Sequence, residues 1–345
     1  MRGIVFPGDR TAELREFPDP TPEPRDVVLE IRASGMCGSD LHAYRAPAGE
    51  REVTIAGHEP CGVVVEVGSA VTEQEARVGD RVMVHHYDGC GVCRHCRSGW
   101  TQLCEQDVVF FGSGTGHGGH APYMRAPAHT LVPLPDALSF PAGSAVACGT
   151  GTAYGALERL DLRGDETIAV FGQGPVGLSA THLASVMGAR VLAIDISAER
   201  RQLALEWGAD LVIDPQAEDQ VALIKEATHG EGAHKALDTS AAPSARLAAV
   251  RATRTWGAVA LVGIGGDLTV DVFDDLIKRQ LTVMGHLTFS KEGQADCATF
   301  VADRGLDLDR LFTHRWTLDQ AEEAYRLFDQ QKTGKGWFDP TATAS

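Results

Sequence analysis

Four cysteines crowd into residues 90–104, CGVCRHCRSGWTQLC, at Cys90, Cys93, Cys96 and Cys104. The spacing C-x2-C-x2-C-x7-C lets one short loop surround a single tetrahedral ion, and Zn2+ accepts four thiolates at about 2.3 Å. A disulfide pair and an iron–sulfur cluster are the competing readings. Zinc is favoured over the cluster because the run lacks the further cysteine and proline of the bacterial ferredoxin pattern. Arg94, His95 and Arg97 are interleaved where they can offset the excess thiolate charge. A four-thiolate site leaves no position for substrate. The lobe therefore reads as structural, and chemistry has to be sought elsewhere.

Three other segments carry metal-type side chains: GMCGSDLH with Cys37, Ser39, Asp40 and His42, AGHEPCG with His58 and Glu59, and VACGTGTAYGAL with Cys148. Two cysteines and a histidine are a recognised catalytic zinc set that leaves a fourth position open. Local spacing does not show that these distant residues meet. Adjacent side chains of an extended segment point to opposite faces, so Glu59 is expected behind the metal, able to swing in, rather than beside His58. Asp40 is placed to accept a hydrogen bond from a metal-bound imidazole and fix its tautomer. Cys61 and Cys297 match no motif and read as buried thiols.

Two kinds of framework must position these groups. From about residue 165, apolar runs alternate with helical patterns: ETIAVFG, RVLAID, LVID, HKALDTS, GAVALVGI and LTVMGH, with helix-like stretches that include 216–229, 241–253 and 271–280. Six such strands predict a parallel sheet covered on both faces. The first 150 residues are rich in Pro and Gly, with runs such as DVVLEIRAS and CGVVVEVG, and predict a mainly antiparallel β domain. Residues after about 290 are too few for a domain of their own and are expected to return to the first.

The first strand–helix junction of the second half reads GQGPVG, with Gly172, Gly174 and Gly177. In this context the first glycine makes a tight turn, the second admits a pyrophosphate to the backbone, and the third lets helix and strand pack closely. The helix N-terminus then offers unpaired N–H groups to the phosphates. Asp195 ends the second strand, where a carboxylate binds the adenosine ribose hydroxyls. It would repel a 2′-phosphate by up to about 4 kcal/mol per charge pair at an effective dielectric near 20, which favours NAD over NADP. Arg200 and Arg201 nearby leave NADP open, since an arginine can receive that phosphate.

Taken in order, CGSDLH, GHE, the four-cysteine lobe, CGTGTAYGAL, GQGPVG with Asp195 and a late KTGKGW make the chain resemble the zinc-containing medium-chain alcohol and polyol dehydrogenases over nearly its whole length. The resemblance implies an α/β fold with a GroES-like β domain over 1–150, carrying the zinc lobe at 88–106. A Rossmann domain, a doubly wound parallel six-stranded sheet, follows over 151–287, and 288–345 returns to the catalytic domain. It implies two Zn2+ per chain, a catalytic one held by Cys37, His58 and Cys148 and a structural one held by the lobe. In polyol-type relatives the glutamate equivalent to Glu59 binds zinc directly, so Glu59 and Cys148 both stay candidates for completing the shell.

The same resemblance implies reversible oxidation of an alcohol, secondary or polyol-like, to a ketone or aldehyde with hydride transfer to NAD. Zinc with an open position acidifies the alcohol, Ser39 takes the proton, and His42 releases it to solvent. On the cofactor side it implies Pro175 among the cofactor-binding residues, Val176 behind the nicotinamide, Thr152, Gly263 and Ile264 along the same half, Arg200 near the ribose, and Lys335 reaching the pyrophosphate. His85, His86, Tyr87 and His120 are expected to give a polar substrate pocket. The rivals are an NADP-dependent carbonyl reductase on the same scaffold and a catalytically silent zinc- and nucleotide-binding relative.

The composition is that of a globular chain, with 345 residues, 43% hydrophobic and 23% charged. A net charge of −16 speaks against a nucleic-acid surface. No apolar run approaches the ~18 residues of a membrane span. The start MRGIVFPGDR reads as a strand rather than a signal peptide. A cytoplasmic homodimer or homotetramer acting on a small alcohol or ketone is the expectation.

Overall fold

The computed structural model describes residues 1–49 and 53–342; residues 343–345, the end of the expected C-terminal return, lie outside them. The chain divides into two compact units, Met1–Gly151 with the segment from Phe289 onward, and Thr152–Thr288.

The Thr152–Thr288 unit is built on six parallel strands in the spatial order Leu211–Ile213, Arg190–Ile194, Thr167–Phe171, Ala233–Asp238, Thr253–Leu261, Thr282–Gly285. This is the doubly wound order. Its direction reverses between Thr167–Phe171 and Ala233–Asp238, where such folds bind ligands outside the carboxyl ends of the strands. The central strand TIAVF is buried at every residue, as a strand covered on both faces must be. Phe171, Leu192, Ile194, Ile213, Ile224 and Val259 fill the core on one side of the sheet. The helix Pro175–Val186 starts on a proline, whose fixed φ suits a first turn. The stretch expected to be helical at 271–280 is helical over Val272–Ile277, wound in the wider π form and capped by the Asp271 carboxylate. Lys278 N–H donates to the Phe273 carbonyl five residues back.

The other unit carries a seven-stranded sheet in the order Phe312–Trp316, Lys335–Phe338, Asp26–Gly35, Glu59–Val67, Arg81–Val84, Leu131–Pro133, with Tyr123–Pro127 also paired to Asp26–Gly35. All these pairings are antiparallel except that between Phe312–Trp316 and Lys335–Phe338. The C-terminal segment thus enters this sheet directly, with Trp337 opposite Gly35 and Phe338 opposite Ser34. On the other side of the same strand, Gly35 faces Glu59. The short helix Phe140–Val146, capped by the Ser139 hydroxyl, packs on the strands Asp26–Gly35 and Glu59–Val67 and delivers Cys148 just beyond its end. No helix among the described residues is long and apolar enough to cross a membrane.

Candidate active site

Cys37 follows the end of the strand Asp26–Gly35, His58 immediately precedes and Glu59 opens the strand paired with it, and Cys148 follows the helix packed on both. The ligand atoms of these four residues all lie within 4.8 Å of one another, and the two sulfurs are 3.9 Å apart. His58 turns Nδ1 toward Asp40 Oδ1 at 2.9 Å, out of line for a directed hydrogen bond. Its Nε2 faces the cluster, where Ser39 Oγ lies 3.1 Å away. Ser39 Oγ also donates to Cys37 Sγ at 3.2 Å. The hydrogen bond from Cys148 and the neighbouring His58 hold the Cys37 thiol well below its ordinary range, against burial. Burial pulls His58 down, but Asp40 and Cys37 outweigh it and hold the imidazole well above its usual value. Two sulfurs, an imidazole nitrogen and a carboxylate oxygen, in a pocket that favours a thiolate, are the donor chemistry a zinc ion takes.

His58 and Glu59 were expected on opposite faces, and they converge. Residue 58 lies in a bend that precedes the strand, and Gly57 has φ +92°, so the two-residue alternation begins only after His58. Gly35 makes room, since a Cβ there would overlap Glu59 Oε2. Lys335 also departs from expectation. It is buried rather than aimed at a pyrophosphate, and its Nζ donates to Glu59 Oε2 at 2.5 Å and to the Met36 carbonyl at 3.1 Å. The ammonium is committed because neither group could be buried alone. Burial pushes the Glu59 carboxyl up to about 8 even so, with Lys335 opposing the rise.

Behind His58 lies a chain of buried polar groups. Asp40 Oδ2 accepts from the Cys37 N–H at 2.9 Å and from the Tyr325 hydroxyl at 3.0 Å. Tyr325 Oη is 2.7 Å from His120 Nε2, and His120 Nδ1 is 2.7 Å from Ser34 Oγ. His120, expected in the substrate pocket, belongs to this chain instead; burial pushes its imidazole down to about 4. His85 is likewise held, Nδ1 3.2 Å from Gln294 Oε1 and Nε2 3.1 Å from Thr101 Oγ1. His86 differs: its ring lies 5.3 Å from that of His58, Nδ1 faces the Ala147 carbonyl at 2.9 Å, and its buried Nε2 has no partner. Tyr87 and Phe110, stacked at 4.6 Å, flank it. His42 stands exposed on the short helix Asp40–Arg45.

The second cluster, Cys90, Cys93, Cys96 and Cys104, also has its four sulfurs within 4.8 Å. Backbone N–H groups, more than the basic side chains, face these sulfurs. Cys90 N–H donates to Cys104 at 3.3 Å, Cys93 N–H to Cys90 at 3.4 Å, and Cys96 N–H to Cys93 at 3.5 Å. Such donors bring Cys104 down to about 6. Arg94 and His95, expected to offset the lobe's charge, pair with Glu105 at 3.3 and 3.5 Å.

In the other unit, Gly172 turns the chain at φ +91°, and a Cβ on Gly177 would overlap the Gly172 carbonyl. A Cβ on Gly174 would meet no heavy atom within 4 Å, which leaves this backbone open to a phosphate. Pro175 and Val176 form the first turn of the helix above it. Asp195 follows its strand directly and accepts from Gln173 N–H at 2.7 Å and Ser197 N–H at 2.8 Å. Arg200 Nη1 is 4.0 Å from the same carboxylate, while Arg201 is paired with Asp214 at 2.9 Å. Thr152 is buried, and Ile264 is 59% exposed on the turn after the fifth strand. Sequence reasoning missed what fixes that turn. Arg246, buried against Asp238 at 3.1 Å, donates to the carbonyls of Gly263 and Gly266, both at 2.6 Å. Tyr325 was missed as well, although it is the polar-tipped residue on the apolar face of AEEAYRLFD.

The chain matches two family models, alcohol dehydrogenase GroES-like domain over residues 23–136 and zinc-binding dehydrogenase over residues 175–303. It is 37% identical to YphC of Escherichia coli K12, an uncharacterized zinc-type alcohol dehydrogenase-like protein, over 97% of each chain. Among solved structures it resembles the alcohol dehydrogenase TADH from Thermus sp. ATN1, with TM-score 0.90, 29% identity and coverage of 98% and 99%. It also resembles 2R,3R-butanediol dehydrogenase from Bacillus subtilis, with TM-score 0.87, 28% identity and 99% of each chain covered. The α/β fold, the GroES-like and parallel-sheet units and the sequence likeness agree: this chain belongs to the zinc-type medium-chain alcohol dehydrogenase family.

Proposed function

We propose that this protein reversibly oxidises a secondary or polyol-like alcohol to a ketone or aldehyde with NAD. The observation that carries the reading is the convergence of Cys37, His58, Glu59 and Cys148 with the Ser39 hydroxyl against two of them. Cys37, His58 and Cys148 would hold the catalytic zinc, Glu59 would exchange between the ion and Lys335, and Cys90, Cys93, Cys96 and Cys104 would hold a structural zinc. A zinc ion there supplies Lewis-acid polarisation of the alcohol oxygen, and NAD supplies the hydride acceptor.

The chain's own residues do the rest. Ser39 Oγ, beside the donor cluster, would accept the substrate hydroxyl proton as it gives up its own, and exposed His42 would receive the proton relayed from Ser39 and release it to water. Asp195 receives the adenosine ribose and Gly174 admits the pyrophosphate, with Thr152, Val176, Gly263 and Ile264 along the nicotinamide half. For the substrate, His86 is the specific support. Its Nδ1 must carry the proton, because a carbonyl only accepts, so in the neutral ring Nε2 is an acceptor without a donor. A second hydroxyl on the substrate would supply that donor, and the likeness to a butanediol dehydrogenase points the same way. NADP is the second reading, favoured by Arg200 beside Asp195.

A panel of aliphatic alcohols, vicinal diols and longer polyols, run with NAD and with NADP before and after chelation, tests the proposal. Diol oxidation with NAD that chelation abolishes is expected. A preference for monohydric alcohols that His86→Phe leaves unchanged would remove the polyol reading. Asp195→Gly should move the NAD/NADP ratio toward NADP.

A further inference from the structure

We propose that His120 and Tyr325 are positioning residues: the buried hydrogen-bond chain Ser34–His120–Tyr325–Asp40 fixes the carboxylate that backs His58 and so governs how firmly the Cys37–His58–Cys148 set keeps its metal. The proposal rests on the zinc reading of that set, and its test separates the two.

The direction of every bond in the chain follows from its two ends. A carboxylate accepts only, so the Tyr325 hydroxyl proton is committed to Asp40 Oδ2. Tyr325 Oη can then only accept from His120, which puts the ring proton on Nε2. His120 Nδ1 is left as an acceptor, and Ser34 must donate to it. Three donors in series, each 2.7–3.0 Å long, therefore point one way, toward the carboxylate, and such chains polarise one another. All four residues are buried, Ser34, His120 and Tyr325 completely.

The geometry at Asp40 shows what the chain does. Both of its hydrogen-bond donors, the Cys37 amide and the Tyr325 hydroxyl, land on Oδ2. That fixes the plane of the carboxylate and leaves Oδ1 as the oxygen facing His58 Nδ1. Oδ1 and Nδ1 have no hydrogen-bond partner in line, so their 2.9 Å approach is held by what grips Oδ2 rather than by its own directionality. Without the Tyr325 hydroxyl the carboxylate would be fixed by one amide and free to rotate about it. The imidazole would then lose the carboxylate that its Nδ1 faces and that holds its orientation. The chain also crosses the sequence: Tyr325 lies 285 residues from Asp40. The C-terminal helix Ala321–Asp329 thus reaches the carboxylate behind His58 through the Tyr325 hydroxyl.

The test is the rate at which the holoenzyme releases zinc to a chromophoric chelator, read as the kinetic phase that Cys148→Ser lacks. Tyr325→Phe and His120→Phe should each speed that phase about tenfold, the lower end of what loss of an outer-shell partner costs in metal affinity. His120→Gln, whose amide can still donate to Tyr325, should stay within about threefold of the parent. Phe6→Leu serves as a packing control, since the Phe6 ring lies edge-on to Tyr325 at 4.6 Å; it should lower thermal stability without speeding the release. Should Tyr325→Phe not fold, His120→Phe carries the same expectation with the tyrosine untouched. An unchanged release rate in the folded Phe variants, or equal acceleration by Phe6→Leu, overturns the positioning role. A parent protein that releases only one zinc would instead refute the zinc reading beneath it.

Discussion

Gly174 and Gly177 stand three residues apart across one turn–helix junction and should respond in opposite ways to the same added methyl group. At Gly174 φ is −70° and ψ is −174°, a conformation alanine adopts freely, and a Cβ meets no heavy atom within 4 Å. Alanine at this N-cap position costs up to about 1 kcal/mol, which the less flexible unfolded chain offsets by about 0.4–1 kcal/mol. The melting temperature of Gly174→Ala should therefore stay within a few degrees of the parent. If the backbone at this position meets a pyrophosphate, the same methyl intrudes on it, and overpacking of that kind costs about 1–3 kcal/mol. That corresponds to about a 5- to 150-fold rise in the dissociation constant of NAD. At Gly177 the added Cβ overlaps the Gly172 carbonyl, a backbone atom that cannot rotate away, so about 3 kcal/mol or more of fold stability should be lost. NAD titration by nucleotide fluorescence, paired with thermal melts of both variants, reads the contrast. A stable Gly174→Ala protein that binds NAD within twofold of the parent would falsify the nucleotide-loop reading.

The buried Lys335–Glu59 pair gives a second expectation. Removing one partner strands a buried charge, so Lys335→Met should lose about 3–5 kcal/mol, and adding Glu59→Gln should restore much of it; chemical denaturation of the four proteins in the cycle would show the pair uncoupled if the losses simply add. Acid should weaken the fold in a definite window, because burial pushes His85, His120 and His286 each down to about 4. The unfolded chain, with histidines near 6.5, binds protons that these three refuse in the folded state, so the stability they contribute is full above about pH 6.5 and falls as pH drops toward 4. Urea midpoints at pH 7 and pH 5 measure this, and equal midpoints contradict it. Arg246→Met should free the 263–266 turn and raise the KM for NAD with a smaller change in the KM for alcohol; equal changes in both would show that the turn does not serve the cofactor.

The sheet of the Thr152–Thr288 unit was legible because buried parallel strands such as TIAVF and RVLAI are short, apolar and bounded by glycine or helix-start signals. The four-cysteine lobe was legible for a related reason, since its spacing is local. The other donor set was not, because Cys37, His58 and Cys148 are brought together by the pairing of Gly35 with Glu59 and by a helix packed across both strands. Two of the readings that failed turn on geometry that local sequence does not show. Gly57 turns the chain so that His58 and Glu59 converge, and the strand Lys335–Phe338 threads into the first sheet, which buries Lys335 beside Glu59. The polar chain through His120 and Tyr325 was hidden because each residue alone reads as an ordinary loop histidine or a core aromatic. Only their joint burial around Asp40 gives them a role.

Zinc content per chain under metal-replete conditions, measured by elemental mass spectrometry on the parent, on Cys148→Ser and on Cys93→Ser, is the most direct measurement to make. Two zincs in the parent and one in each variant, with NAD-linked alcohol oxidation lost in Cys148→Ser, is the expected result. A parent holding a single zinc, or a Cys148→Ser protein holding two, would contradict the assignment of Cys37, His58 and Cys148 as a catalytic metal site.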